Sequence, residues 1–137
     1  MILNFPLPYL YCDIIVVDYK GKHEKARLFC VKTPESVHPD KKQNIPIWKV
    51  ASDYTAIRLT GKSINLEFEG RRRGNHGHLL AYIIIDADNF NLELVRKKLI
   101  LFYTKYELSQ KYDKEFREVE QYARKIMGIS YYPLYSY

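Results

Sequence analysis

The sequence predicts an α+β protein in which an antiparallel sheet of about four to six strands packs against one or two long C-terminal helices. Before Asp86, short apolar segments are separated by polar turns, whereas after Asp88 apolar residues recur every three or four positions. Strands and helices are therefore segregated along the chain, which is typical of α+β proteins. We expect one domain over 1–137, with a strand-rich part (1–86), a helical part (88–128) and an aromatic tail (129–137).

The first predicted element is a β-hairpin with strands at 9–19 and 25–32, since both segments are rich in Ile, Val, Leu and Phe. The sequence leaves two registers open. A two-residue turn at Lys20-Gly21 places Cys12 and Cys30 on opposite faces of the hairpin, and a turn one residue longer places them directly opposite each other. Whether the two cysteines pair depends on that turn, and free thiols are the expectation for a chain with so few cysteines.

The next segment, 33–44, combines prolines with polar residues and shows no periodicity, so it predicts a long surface loop. Two short strands are predicted after it, at 47–52 and 54–60. A helix is the alternative for these residues, because four of them recur at helical spacing: Trp48, Ala51, Tyr54 and Ile57.

A second hairpin, with strands at 64–70 and 78–85, is predicted with a two-residue turn at Gly74-Asn75. In this register one face is apolar, because Phe68 faces Ala81, Leu66 faces Ile83 and Ile64 faces Ile85. The opposite face then carries charged and imidazole side chains, namely Glu67, Glu69, Arg71, Arg73, His76 and His78.

The C-terminal half predicts two helices. The first begins after Asp88 or Asn91 as N-cap and continues to about Leu108, because two apolar stripes run along it. The second extends from about Tyr112 to Met127 and has an amphipathic pattern. The intervening residues break the pattern weakly, so the sequence also allows the two helices to be fused.

Composition and charge narrow the class of protein. The chain has 22 Lys and Arg against 16 Asp and Glu, a net charge of +6, which favours polyanionic partners. The apolar runs are shorter than the ~18 residues of a membrane span, and the N-terminal segment lacks the basic start of a signal peptide. With two cysteines and no N-x-Ser/Thr sequon, we expect an intracellular, cytoplasmic protein without a membrane partner. Small size also suits a viral or plasmid accessory protein, which would act in the host cytoplasm.

The predicted tip of the second hairpin is strongly basic. Arg71, Arg72 and Arg73 are consecutive, and Lys62 and His76 lie nearby in the predicted fold. Such a finger neutralises phosphates of a nucleic-acid backbone without reading bases. The sequence therefore predicts a non-enzymatic, nucleic-acid-associated or regulatory binding protein, with no catalytic residue, metal or other cofactor.

An enzymatic alternative rests on His76-Gly77-His78, whose imidazoles point the same way on a strand, with Glu69 diagonally across the hairpin. The helix that follows contains Tyr122-Ala123-Arg124-Lys125. A His-x-His strand followed by a Tyr-x-x-Lys helix resembles the rolling-circle replication initiators and related relaxases. That resemblance implies a metal held by His76, His78 and Glu69, with Tyr122 attacking a DNA phosphate in a nicking reaction.

A third alternative is a structural or protein-interaction subunit. The tail at 131–137 concentrates four tyrosines in seven residues, and such residues pack on the parent domain or on a partner. A homodimer formed through this tail or through a helix face is the assembly that this alternative predicts.

Overall fold

A computed structural model describes residues 2–3, 13–32, 47–104 and 109–127, and it confirms the α+β class. The strands are β1 (Ile2–Leu3), β2 (Ile14–Tyr19), β3 (Lys22–Leu28), β4 (Val31–Lys32), β5 (Asn65–Glu67), β6 (Leu79–Ile85), β7 (Asp88–Asn89) and β8 (Leu101–Phe102). The helices are α1 (Ile47–Leu59), α2 (Phe90–Arg96) and α3 (Asp113–Met127). None of these described helices combines the length and apolar character needed to cross a membrane.

The main sheet has six strands in the order β1-β2-β3-β6-β5, with β7 also paired to β6, and β4 pairs with β8 in a second, two-stranded sheet. Neighbouring strands are antiparallel except β3 and β6, which run parallel. A parallel pair needs a crossover connection, and α1 lies in the segment that connects β3 to β6. The apolar strand β6 is central and buried along nearly its whole length.

The core lies between the curled sheet and the helices. β2 and β3 alternate, so that Ile15, Val17, Ala26 and Leu28 have no exposed surface and their neighbours in sequence point away from the core. Helix α3 closes the core with Phe116, which is fully buried. This alternation matters for function because it fixes which side chains of β3 reach the outer surface.

The first hairpin adopts the shorter of the two registers. Tyr19 pairs with Lys22, which leaves Lys20 and Gly21 as a two-residue turn with φ values of 52° and 82°. Positive φ at both central residues is the hallmark of the tight turn that matches strand twist. Cys30 is buried, whereas Cys12 lies outside the described residues. The predicted loop at 33–44 and the aromatic tail also lie outside them.

The prediction of two short strands at 47–60 is wrong, because the structure has the 13-residue helix α1 there. The helical alternative is confirmed as an element, and its stripe is right at Ala51 and Tyr54, which pack against the core, but wrong at Ile57, which is 82% exposed. Thr55 and Leu59 complete the buried face. Because this face includes a threonine and the outer face includes an isoleucine, the apolar pattern misleads in this segment.

The long helix predicted up to Leu108 is also wrong. Helix α2 ends at Arg96, and the apolar residues that follow form β8, where Phe102 pairs with Val31 of β4. Neither predicted N-cap is used: Asn89 caps α2 by accepting a hydrogen bond from the backbone N–H of Leu92. The second predicted helix is confirmed as α3, and the two helices are not fused.

The second hairpin is confirmed in its strands and wrong at its tip. Leu66 pairs with Ile83 and Glu67 with Tyr82, as the alternation of side chains requires. Beyond the paired strands, however, Arg73 bridges to Leu79 instead of opposing His76, so five residues, 74–78, connect the strands in place of the two-residue turn at Gly74-Asn75. A glycine at 77 with φ of 79° makes this longer connection accessible.

Candidate functional site

The segment that connects the two strands of this hairpin, residues 70–78, is called the arginine loop below. Its three arginines are exposed, but its backbone is held in place. The N–H of Leu80 donates to the carbonyl of Arg72 at 2.7 Å, and the N–H of Gly74 donates to the carbonyl of His78 at 2.8 Å. The side chains of the loop therefore start from fixed positions on the edge of the sheet.

One side of the arginine loop borders a concave site of about 220 Å³, called the basic cleft. Arg27 reaches it because Ala26 and Leu28 point into the core, so the residue between them points outward. The parallel pairing of β3 with β6 sets Arg27 opposite Leu80, next to the end of the loop. The lining residues are Arg27, Arg71, Gly74, Asn75, His76, His78 and Leu80.

The basic cleft has a positive electrostatic character. Partial burial lowers the pKa of His78, and the nearby positive charges of Lys25 and Arg27, together with His76, lower it further. The imidazoles of His76 and His78 are neighbours, with ring centroids 6.2 Å apart. No carboxylate is among the described residues that line the cleft. These features favour an anion.

The size of the cleft indicates the kind of anion. Sites that enclose a whole small molecule usually measure about 300–1,000 Å³, and the basic cleft is smaller at about 220 Å³. Guanidinium groups bind phosphate oxygens through paired N–H donors. The arrangement therefore suits one phosphate group of a larger ligand whose remainder lies outside the cleft.

The structure separates the residues predicted to contact nucleic acid. Arg71 and His76 line the basic cleft, whereas Arg72 and Arg73 line a second groove on the other side of the loop. Lys62 lies in the exposed turn after α1 and is not among the residues that line either site. The prediction that these five residues bind nucleic acid stays untested by the structure.

Sequence reasoning missed Arg27 and the contribution of His78 to an anion site. The signal for Arg27 was present, since Lys25 and Arg27 alternate with the apolar Ala26 and Leu28. The pattern does not show which strand pairs with β3. The parallel pairing with β6 spans more than fifty residues of sequence and has no local signature.

The three residues of the alternative metal site are not brought together. Glu69 accepts a hydrogen bond from the hydroxyl of Tyr82 at 2.7 Å and another from the backbone N–H of Gln110. In the described ranges, no three His, Cys, Asp or Glu side chains are grouped so that they could hold a metal ion. The alternative catalytic residue Tyr122 lies on α3 and is 55% exposed.

Comparisons with known proteins identify relatives of this chain. A family model described as "Staphylococcal nuclease homologue" matches residues 25–127. The thermonuclease of Staphylococcus hyicus is 32% identical over 114 residues, which cover 83% of this chain and 66% of the relative. Endonuclease YncB of Bacillus subtilis is 34% identical over 113 residues, which cover 82% of this chain and 53% of the relative. The thermonuclease of Staphylococcus intermedius is 34% identical over 87 residues, which cover 64% of this chain and 51% of the relative. The chain thus spans between half and about two thirds of these relatives.

Nucleases of the matched family use calcium. Calcium takes six to eight oxygen ligands, several of them carboxylates. Near the basic cleft the described chain offers Asp13, which is 8% exposed and whose backbone carbonyl accepts the N–H of Leu28, next to Arg27. One carboxylate beside an arginine does not make a calcium site, so the described residues do not fit this ion on their own.

These findings correct the functional prediction. A family of nucleases contradicts both the non-enzymatic binding protein and the rolling-circle-type alternative, although it agrees with nucleic acid as the partner. The tip of the hairpin was misleading because an exposed arginine run is typical of binding proteins, and the local pattern gave no sign that Arg27 of β3 completes a cleft beside it. With three quarters of its length matched by one family model, the chain belongs to the family of Staphylococcal nuclease homologues.

Proposed function

We propose that this chain is a nuclease that binds a phosphodiester group of nucleic acid in the basic cleft and hydrolyses it. The observation that carries the proposal is the convergence of Arg27, Arg71 and His78 on one phosphate-sized site in a chain of the nuclease family. The endonuclease and thermonuclease names of its relatives support a reaction of this class.

Each group has a defined task in this proposal. Arg27 extends from a paired strand, and its guanidinium stabilises the charge that develops on the phosphoryl oxygens as water attacks. Burial and the neighbouring cations lower the pKa of His78, so the neutral imidazole donates a hydrogen bond to a phosphate oxygen. The oxygen of water bonds to phosphorus and releases a proton to solvent, the bond to one nucleotide oxygen breaks, and the leaving oxygen takes a proton from solvent.

The proposal is tested by cleavage of labelled single-stranded DNA and RNA oligonucleotides with added Ca²⁺ and, separately, with a chelator. We expect cleavage by the wild-type chain and a loss of about 100-fold or more in kcat/KM for Arg27→Gln, as for removal of one charge-stabilising donor. Arg27→Lys retains part of the activity, since it keeps the charge and loses the paired donors.

Arg96→Gln is the matched control, because Arg96 is an exposed arginine of α2 that does not line the basic cleft. Thermal unfolding of each variant separates loss of function from loss of structure. Absence of cleavage by the wild-type chain on every substrate, or full activity of a folded Arg27→Gln variant, would overturn the proposal.

A further inference from the structure

The arginine loop has a second concave side, which the proposed cleavage site does not use. This second groove measures about 380 Å³ and lies across the loop from the basic cleft. Its lining residues are Tyr19, Lys20, Lys22, Glu24, Arg72, Arg73 and Leu79. They come from the β2–β3 turn and from the loop, so two turns that are distant in sequence build one site.

The charges of this groove divide into a structural pair and a set that faces the groove. Arg73 donates to both carboxylate oxygens of Glu24 at 2.8 Å and to the carbonyl of Gly77 at 2.8 Å, so its donors hold the loop against β3. Glu24 is the one carboxylate among the described residues that line the groove, and this contact neutralises it. Lys20, Lys22 and Arg72 supply the remaining positive charge.

Arg72 is held in an oriented position. Its guanidinium lies 4.3 Å from the centre of the Phe68 ring, and one N–H group contacts the hydroxyl of Tyr19 at 3.3 Å. Stacking on an aromatic ring fixes the plane of a guanidinium and leaves most of its edge donors directed outward. This geometry is suited to receiving a phosphate.

Neighbouring residues of the hairpin serve different sites. Arg71 and Leu80 line the basic cleft, whereas Arg72 and Leu79 line the second groove. Consecutive residues are about 3.3 Å apart along an extended backbone, so the loop is a thin wall between two positive sites. A ligand with a single phosphate occupies one side, and a chain of phosphates reaches both.

We propose that the second groove is a further phosphate-binding subsite for the same nucleic-acid strand, which crosses the arginine loop on its way out of the basic cleft. This inference rests on the proposed function for the identity of the ligand. It predicts that affinity depends on substrate length, since a ligand with one phosphodiester fills the basic cleft alone.

The test measures binding without cleavage, by fluorescence anisotropy in a chelator over a range of KCl concentrations. The probes are a labelled 12-nucleotide single strand and a labelled dinucleotide. The groove variant is Lys20→Asn with Lys22→Gln, where asparagine is chosen because Lys20 has a φ of 52° that asparagine tolerates well. The matched control is Lys20→Arg with Lys22→Arg, which keeps both charges.

For the 12-nucleotide probe, we expect the groove variant to bind about five- to tenfold more weakly. The slope of log affinity against log salt should shrink by about 1.4, since each lost phosphate contact to a single strand contributes about 0.7. The dinucleotide should bind equally well to the groove variant and to the wild type, and the double-arginine control should bind both probes as the wild type does. Arg27→Gln should weaken both probes.

Three results would overturn the subsite: unchanged affinity of the groove variant for the long probe, an equal loss for both probes, or a loss that the double-arginine control shares. Arg72→Gln provides the same test from the other wall of the groove if the double variant does not fold. A wild-type chain that binds in this length-dependent way and cleaves nothing would refute the proposed nuclease activity while supporting the subsite. A chain that cleaves nucleic acid but shows no dependence of affinity on length would support the nuclease activity and refute the subsite.

Discussion

Two neighbouring regions of one hairpin use their charged residues differently. Glu67 ends β5 and Glu69 lies two residues beyond it, and the contacts that these carboxylates make to residues 110–112 are called the anchor below. The arginine loop begins at the next residue. The carboxylates are satisfied within the molecule, whereas Arg71 and Arg72 border open grooves.

The anchor ties the sheet to the start of α3. The carboxylate of Glu67 accepts hydrogen bonds from the hydroxyl of Tyr112, at 2.7 Å, and from Lys111. Burial raises the pKa of Glu67, but the hydrogen bonds from Lys111 and Tyr112 outweigh burial and lower the pKa overall. Burial also raises the pKa of Tyr82, so its hydroxyl remains protonated as the donor to Glu69.

The difference shows that a charge pattern does not by itself indicate function. Glu67, Glu69 and the arginines lie close together in the sequence, yet the carboxylates stabilise the fold and the guanidinium groups of Arg71 and Arg72 face sites for a ligand. Mutations in the anchor should therefore change stability and leave ligand affinity intact, and mutations of these two arginines should do the opposite.

The largest effect is expected at the core residue on which the anchor depends. Phe116 is fully buried and stacks on Phe102 with ring centroids 4.7 Å apart. Phe116→Ala should lower the free energy of unfolding by about 4 kcal/mol through lost burial and the cavity that remains, as measured by urea denaturation. Tyr122→Ala on the same helix is the control, since Tyr122 is exposed and should change stability little. Similar losses in both variants would mean that α3 does not pack as described.

A smaller loss of stability is expected at the anchor itself. Glu69→Ala removes the acceptor of the Tyr82 hydroxyl and of the Gln110 N–H, and should cost about 1–2 kcal/mol because water replaces part of these contacts. Glu69→Gln keeps one acceptor oxygen and should lose less. Oligonucleotide affinity of the folded variants should equal that of the wild type. A Glu69→Ala variant of normal stability that binds more tightly would place this carboxylate at the ligand site instead.

In the arginine loop we expect lower ligand affinity with unchanged stability. Single substitutions there distinguish the two sides of the loop. Arg71→Gln should weaken both the dinucleotide and the 12-nucleotide strand by about three- to tenfold, because Arg71 lines the basic cleft. Arg72→Gln should weaken the longer strand alone. Thermal unfolding should be unchanged in both. If the two variants affected both probes to the same extent, the loop would act as one continuous surface and not as a wall between sites.

Local pattern was enough to predict the part of the fold that depends on alternation. The pairing of Leu66 with Ile83 followed from the two-residue period of the hairpin strands, and α3 followed from its amphipathic stripe. Both elements carry their signal within a few residues. The same reasoning located the arginine loop, though it set Arg73 opposite His76 instead of Leu79, because the glycines at 70, 74 and 77 each permit a bend.

The parts that were missed depend on contacts between distant segments. Leu101 and Phe102 fit a helical stripe, but pairing with Val31 and Lys32 of β4 makes them a strand. Arg27 became a site residue only through the parallel pairing of β3 with β6. Sequence reasoning therefore found the exposed half of the basic cleft and missed the half that a non-local strand pair supplies.

The smallest expected effect concerns pH. Because burial and the charges of Lys25 and Arg27 lower the pKa of His78, its imidazole is neutral near pH 7 and gains a proton only below its usual range. The unfolded chain binds this proton more readily, so the stability of the unliganded protein should fall as the pH drops below about 6.5. A bound phosphodiester stabilises the imidazolium, so ligand affinity should rise over the same interval.

We expect dinucleotide affinity to be about three- to fivefold tighter at pH 5.5 than at pH 7.5, with the gain reduced in His78→Gln. The phosphodiester keeps its single charge in this interval, and His78 shares the basic cleft with a second imidazole, that of His76. His76→Gln measures the share of the second histidine, and comparing the two variants assigns the effect. An equal pH dependence in the wild type and His78→Gln would show that His78 does not face the bound phosphate, and the basic cleft would then depend on its arginines alone.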